Sequence, residues 1–76
     1  MFPISNAMDV QDPVSLGRLI QNRREAVGLT QAELAGYANV GRRFLLEVEA
    51  GKPTAQIGKV MSVLTALGLR VQVSAP

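Results

Sequence analysis

A chain of 76 residues makes one small domain, which buries only roughly 60% of the surface its unfolded form exposes, so its stability alone is marginal and oligomerisation would add to it. Apolar residues make up 47% of the chain, yet no run approaches the ~20 that a membrane span needs, and the absence of cysteine and histidine excludes disulfides, thiolate metal sites and the commonest general base. The net charge is only +2, but both aspartates lie in the first dozen residues, and from Leu16 onward eight basic residues face four acidic ones, a bias that favours nucleic acid or another anionic partner.

These exclusions describe a soluble cytoplasmic protein with no catalytic constellation, no metal, no cofactor and no small-molecule substrate. Residues 1–13 carry two prolines, two aspartates and no helical or strand period, which predicts a poorly ordered arm. Within it, Ser5-Asn6-Ala7 before Met8 resembles the remnant of tag cleavage before a native start, and residues 1–7 are set aside from fold reasoning. Ser15 then caps a first helix from about Leu16 to Val27, stopped at Gly28, with Leu16, Ile20 and Val27 on one face and Leu19 widening it. Arg18, Arg23 and Arg24 make this helix basic, and Arg18 reads as a solvated charge.

Thr30 followed by Glu33 is a capping box that opens a second helix, to about Tyr37, with Leu34, Ala35 and Ala38 facing the core and Gln31 exposed on its first turn. Asn39 tolerates the left-handed conformation that a sharp turn demands, and Val40 plugs that turn into the core. A third helix follows from about Arg42 to Ala50, with Gly41 a weak N-cap and Gly51 just past its end. At 100° per residue, Leu45 and Val48 face inward while Arg43, Leu46 and Glu47 point away and Arg42 sits on the flank. Glu49 falls on the inner side, where a lone carboxylate is costly, and Arg24 is the candidate cation.

Lys52-Pro53 closes this unit. A fourth helix from about Ala55 to Leu67, with Thr54 as cap, carries the stripe Ile57, Val60, Met61, Leu64 and Leu67 and stops at Gly68. The tail then alternates, with Val71 and Val73 on one side and Arg70, Gln72 and Ser74 on the other, which is a strand pattern. Nothing else in the chain supplies a second strand, so Leu69, Arg70, Val71, Gln72 and Val73 are expected to pair with the same segment of a second subunit across a two-fold axis.

The run LGRLIQNRREAVGLTQAELAGYANVGRRFLLEVEAGK, with LTALGL further on, resembles the phage-repressor type of helix-turn-helix, the Xre or Cro/C1 family. The resemblance spans Leu16 to Leu69 and rests on features in register: Arg24, Gly28-Leu29-Thr30-Gln31, Glu33-Leu34-Ala35, Val40, Glu49 with Gly51, and Ala66-Leu67-Gly68-Leu69. It implies a structural ion pair between Arg24 and Glu49, a DNA-backbone contact from Gln31, and base-facing positions at 42, 43, 46 and 47. Three positions depart from the pattern: Asn39 stands where glycine is frequent, Gly41 where a serine or threonine cap is frequent, and Arg23 at an often apolar position. The compact length and the tail resemble HipB-like antitoxins, in which that strand joins its mate and the protein represses its own operon while binding a HipA-type kinase toxin.

The expectation is therefore an all-α, compact four-helix helix-turn-helix domain over residues 14–76, with a strand at 69–74 that pairs across a homodimer. Its function would be sequence-specific repression at a palindromic operator in double-stranded DNA. Arg42 or Arg43 would read guanine, Leu46 would touch a thymine methyl or a neighbour, and Glu47 would accept from cytosine or orient Arg43. Gln31, Lys52 and Arg23 would hold phosphates. The alternative is a protein-interaction module that neutralises a toxin kinase with little or no DNA binding of its own, using Leu46, Leu19 and Tyr37 as contacts.

Overall fold

Helix starts and stops in this chain are set by local chemistry, and the first start differs from expectation. Asp12 is extended (φ −161°, ψ 170°) and its carboxylate accepts from the Ser15 N–H at 2.7 Å, while the Asp12 N–H donates to Ser15 Oγ at 3.1 Å. Asp12 is thus the cap, Ser15 is the reciprocal member of the box, and Pro13 takes the first helical position, where its missing N–H is no loss. The computed structural model describes residues 9–76; the suggested tag remnant at 1–7 and the first part of the predicted arm lie outside the described residues. Four helices follow: α1 (Pro13–Ala26), α2 (Gln31–Ala38), α3 (Arg42–Glu49) and α4 (Ile57–Ala66).

The predicted box opens α2: the Glu33 N–H donates to Thr30 Oγ1 at 3.1 Å and the Thr30 N–H to Glu33 Oε1 at 2.9 Å. Gly41 begins α3 with no side-chain bond. Thr54 does not cap α4, which starts after Gln56, again without a side-chain bond.

Each helix ends in a left-handed residue, with the amide beyond it folded back on the last turn. After α2 this residue is Asn39 (φ 57°), and the Val40 N–H reaches the Ala35 carbonyl at 3.0 Å. After α3 it is Gly51 (φ 90°), where a Cβ would also stand 3.0 Å from Val14 Cγ2. Beyond α1, α2 and α4 the closing residue is apolar and seated on the core, as Leu29, Val40 and Leu69. Beyond α3 it is Lys52, whose N–H donates to the Glu47 carbonyl at 3.1 Å.

The core gathers around Ile20, Leu34, Leu45 and Val63, all without solvent contact, with Ala35, Ala38, Val48, Val60, Leu64 and Leu67 around them. α1 packs on α3, and α2 packs on both α3 and α4. The approach of α1 to the end of α3 is set by Gly17: a Cβ there would meet the Val48 carbonyl oxygen at 2.5 Å and that of Glu49 at 2.7 Å. Within α4 the inward side is Val60, Val63, Leu64 and Leu67, whereas Ile57, 69% exposed, and Met61 face outward. The predicted stripe is corrected accordingly, and Val27 likewise lies exposed instead of in the α1 core face.

The architecture is the expected all-α four-helix unit. Among the described residues there is no strand: residues 69–76 run irregularly, with Leu69 on the core and Val71 and Val73 exposed. A single chain offers the tail no partner edge, which is the physical reason its alternation makes no ladder. No described helix is long and apolar enough to cross a membrane.

Candidate nucleic-acid interface

The inner side of α3 fixes where its outer side stands. Leu45 and Val48 are buried, and beside them the Glu49 carboxylate is gripped by Arg24 through two bonds, Nε to Oε2 at 2.7 Å and Nη2 to Oε1 at 3.0 Å. Both side chains are nearly enclosed, at 11% and 5% exposure. Arg24 Nη1 also donates to the Leu29 carbonyl at 2.9 Å, so one guanidinium ties α1 to α3 and to the turn before α2. The bonds to Glu49 raise the Arg24 pKa above its ordinary value against the opposing effect of burial. Bidentate geometry and filled donors are what make such a buried pair tolerable.

Gln31 belongs to the same cluster. It is half-buried, not exposed as expected, and its Nε2 donates to Glu49 Oε1 at 3.1 Å. The carboxylate oxygen that accepts from Arg24 thus also anchors the first residue of α2. One N–H and the carbonyl of the amide are left for an outside partner.

On the outer side Arg42, Arg43 and Leu46 are exposed, with Glu47 half-buried among them. Glu47 Oε1 accepts from Lys52 Nζ at 3.1 Å, and its Oε2 lies 3.5 Å from Arg43 Nε. Lys52 foremost, and Arg43 less strongly, hold the Glu47 carboxyl below its usual pKa, so it stays ionised at neutral pH. The helix, about 12 Å long, thereby offers an outward row that starts at Arg42 and Arg43 at its N-terminus and is continued beyond its end by Lys52.

Arg23 stands elsewhere. Its Nε donates to the Leu67 carbonyl at 3.1 Å, satisfying the C-terminus of α4 and not joining the α3 row. Two further features escaped the sequence reading. Phe44 packs partly against the core, and Lys59 Nζ of α4 sits 5.6 Å from its ring centroid, a cation–π contact between α4 and α3. The only sequence signal for Gly17 was an isolated glycine inside a helical pattern, which marks a close approach without naming the partner.

Comparison with known proteins points the same way. A family model described as a helix-turn-helix domain matches residues 15–74. An uncharacterised HTH-type transcriptional regulator of Sinorhizobium fredii, y4mF, is 49% identical over 70 residues, which covers 92% of this chain and 92% of that protein. Among solved structures, a HipB-O4 20mer complex superposes with a TM-score of 0.83 at 19% identity, over 91% of this chain and 97% of the other. A HipA-HipB-O2-O3 complex matches with the same score, identity and coverage. At that identity the two structures establish a shared fold.

Proposed function

The chain belongs to the helix-turn-helix domain family, and from that premise we propose that it is a cytoplasmic, homodimeric, sequence-specific DNA-binding repressor, and the autoregulating antitoxin of a HipA-type toxin–antitoxin operon. The observation that carries the reading is the outward row of α3, held from behind by the Arg24–Glu49 pair. A guanidinium in the major groove donates to guanine O6 and N7, and one good bidentate contact contributes about 1–3 kcal/mol of discrimination. In this reading Arg42 and Arg43 make that contact, Leu46 meets a thymine methyl, and Lys52 with the free donor of Gln31 holds phosphates. The names of the structural neighbours, HipB with a 20mer and HipB with HipA, support both partner classes.

The dimer rests on the tail. Val71 and Val73 are exposed on a segment with alternating pattern, and pairing residues 69–73 across a two-fold axis would bury them and relate two α3 helices by the symmetry a palindromic operator needs. Truncation after Gly68 should then give a less stable, largely monomeric chain by sedimentation; an equally stable dimer would remove the tail from this account. DNase footprinting of the region upstream of the gene tests the repressor reading. Two protected half-sites about one helical turn apart are expected, and no protection at any salt would sink it.

One observation favours a second reading. Tyr37 is 71% exposed on α2 and Leu46 is 46% exposed on α3, and each offers an apolar contact to a protein partner. Copurification with a neighbouring kinase-like gene product, with no DNA shift, would make toxin binding the primary function.

A further inference from the structure

On the outer face of α3 both Glu47 oxygens are taken, Oε1 by Lys52 Nζ at 3.1 Å and Oε2 by Arg43 Nε at 3.5 Å. Lys52 is bound to the same residue a second time, through its backbone N–H and the Glu47 carbonyl. It occupies the closing position that the other three helices fill with apolar residues packed against the core, Leu29, Val40 and Leu69. Arg42, next to Arg43, makes no ion pair or side-chain hydrogen bond among the described residues. The two arginines at the front of α3 are therefore not equivalent: one is braced and the other is free.

We propose that Glu47 is a positioning residue of the DNA-reading surface, which braces Arg43 through Nε and Lys52 through Nζ and reads no base itself; this rests on the DNA-binding function proposed above. With Nε engaged, the two terminal amino groups of Arg43 remain as the fork that matches guanine O6 and N7. Arg43 is 87% exposed, so the contact biases its rotamer toward the extended fork without locking it, and less freedom is lost on contact. At 3.5 Å the Arg43 contact is an ion pair and not a full hydrogen bond, and expulsion of water from the interface strengthens it. The bracing also explains how a carboxylate can stand on a face that meets a polyanion: with Arg43 and Lys52 the cluster carries one net positive charge.

The test measures affinity of the full chain for its own upstream DNA and for a random duplex of equal length across a range of salt, in the wild type, Glu47→Gln, Arg43→Ala and the double variant. Glu47→Gln should lower the ratio of specific to random affinity about tenfold while strengthening random binding, because a negative charge has left the interface. Arg43→Ala should lower the ratio at least as far, and the double variant no further than Arg43→Ala. Lys52→Met should weaken both duplexes alike and reduce the salt slope by about one. An unchanged ratio in Glu47→Gln, or losses that multiply in the double variant, would show Glu47 to be idle or an independent reader and would overturn the assignment alone. A wild type that does not discriminate the upstream DNA at all would overturn the DNA-reading function, and the assignment with it.

Discussion

Glu47 and Glu49 stand two positions apart on one helix and are put to opposite uses. Glu49 points inward at 5% exposure, bonded to Arg24 and Gln31; Glu47 points outward at 32%, between Arg43 and Lys52. The same carboxylate that is costly to bury unpaired is inexpensive at the surface, where water screens it. A helix turn of 100° per residue suffices to put one in the scaffold and the other on the outer face proposed to read DNA.

The sharpest way to break this contrast is to remove each partner. Glu49→Ala would strand the Arg24 guanidinium, a loss of about 3–5 kcal/mol, comparable to the whole stability of so small a domain. Urea denaturation should show the variant largely unfolded, and Arg24→Met with Glu49→Leu should recover much of the loss because no buried charge is left behind. A single variant that melts like the wild type would mean the pair is not a brace.

Gly17→Ala comes next. Its Cβ would press on the carbonyl oxygens of Val48 and Glu49, backbone atoms that cannot rotate away, and overpacking of this kind costs about 1–3 kcal/mol. That outweighs the roughly 1 kcal/mol of helix propensity an alanine adds at the upper end of the range, so a fall in Tm of several degrees is expected by calorimetry. A Tm at or above the wild type would mean that α1 can slide away from the end of α3.

Glu47→Gln should have the smallest effect on stability, with Tm nearly unchanged at pH 7. The sign with pH follows from the lowered pKa of Glu47. Whatever its ion pairs contribute is fully present above the ordinary carboxylate range and is lost as pH falls through the lowered folded value. Any difference between the wild type and Glu47→Gln should therefore close in acid. The Asp12 carboxyl is held down chiefly by the Ser15 N–H, so the cap of α1 should weaken over the same acidic window.

What could be read in the sequence was what is local or periodic. The Thr30–Glu33 box, the Asn39 turn, the stop at Gly51 and the inward Leu45 and Val48 depend on residues a turn apart, and Arg24 with Glu49 followed from a buried charge needing a partner. The cap at Asp12 is equally local, but Ser15 can open a helix as well, and only the position of Pro13 separates the two. α4 was harder because apolar residues ring much of it: Ile57 and Met61 satisfy the same spacing as Val60 and Leu64, and tertiary packing alone decides which go inside. Gln31, Arg23 and Gly17 were out of reach for another reason. Their partners, Glu49, the Leu67 carbonyl and the α3 backbone, lie far along the chain, and no pattern within a window records them.

The central claim is that the outer face of α3 reads DNA while its inner face holds the fold. The most direct measurement is the affinity of the Arg42→Ala, Arg43→Ala double variant for upstream and random duplexes, taken beside its melting curve. An unchanged Tm with the preference for upstream DNA abolished is expected. A double variant that keeps the wild-type preference would contradict it.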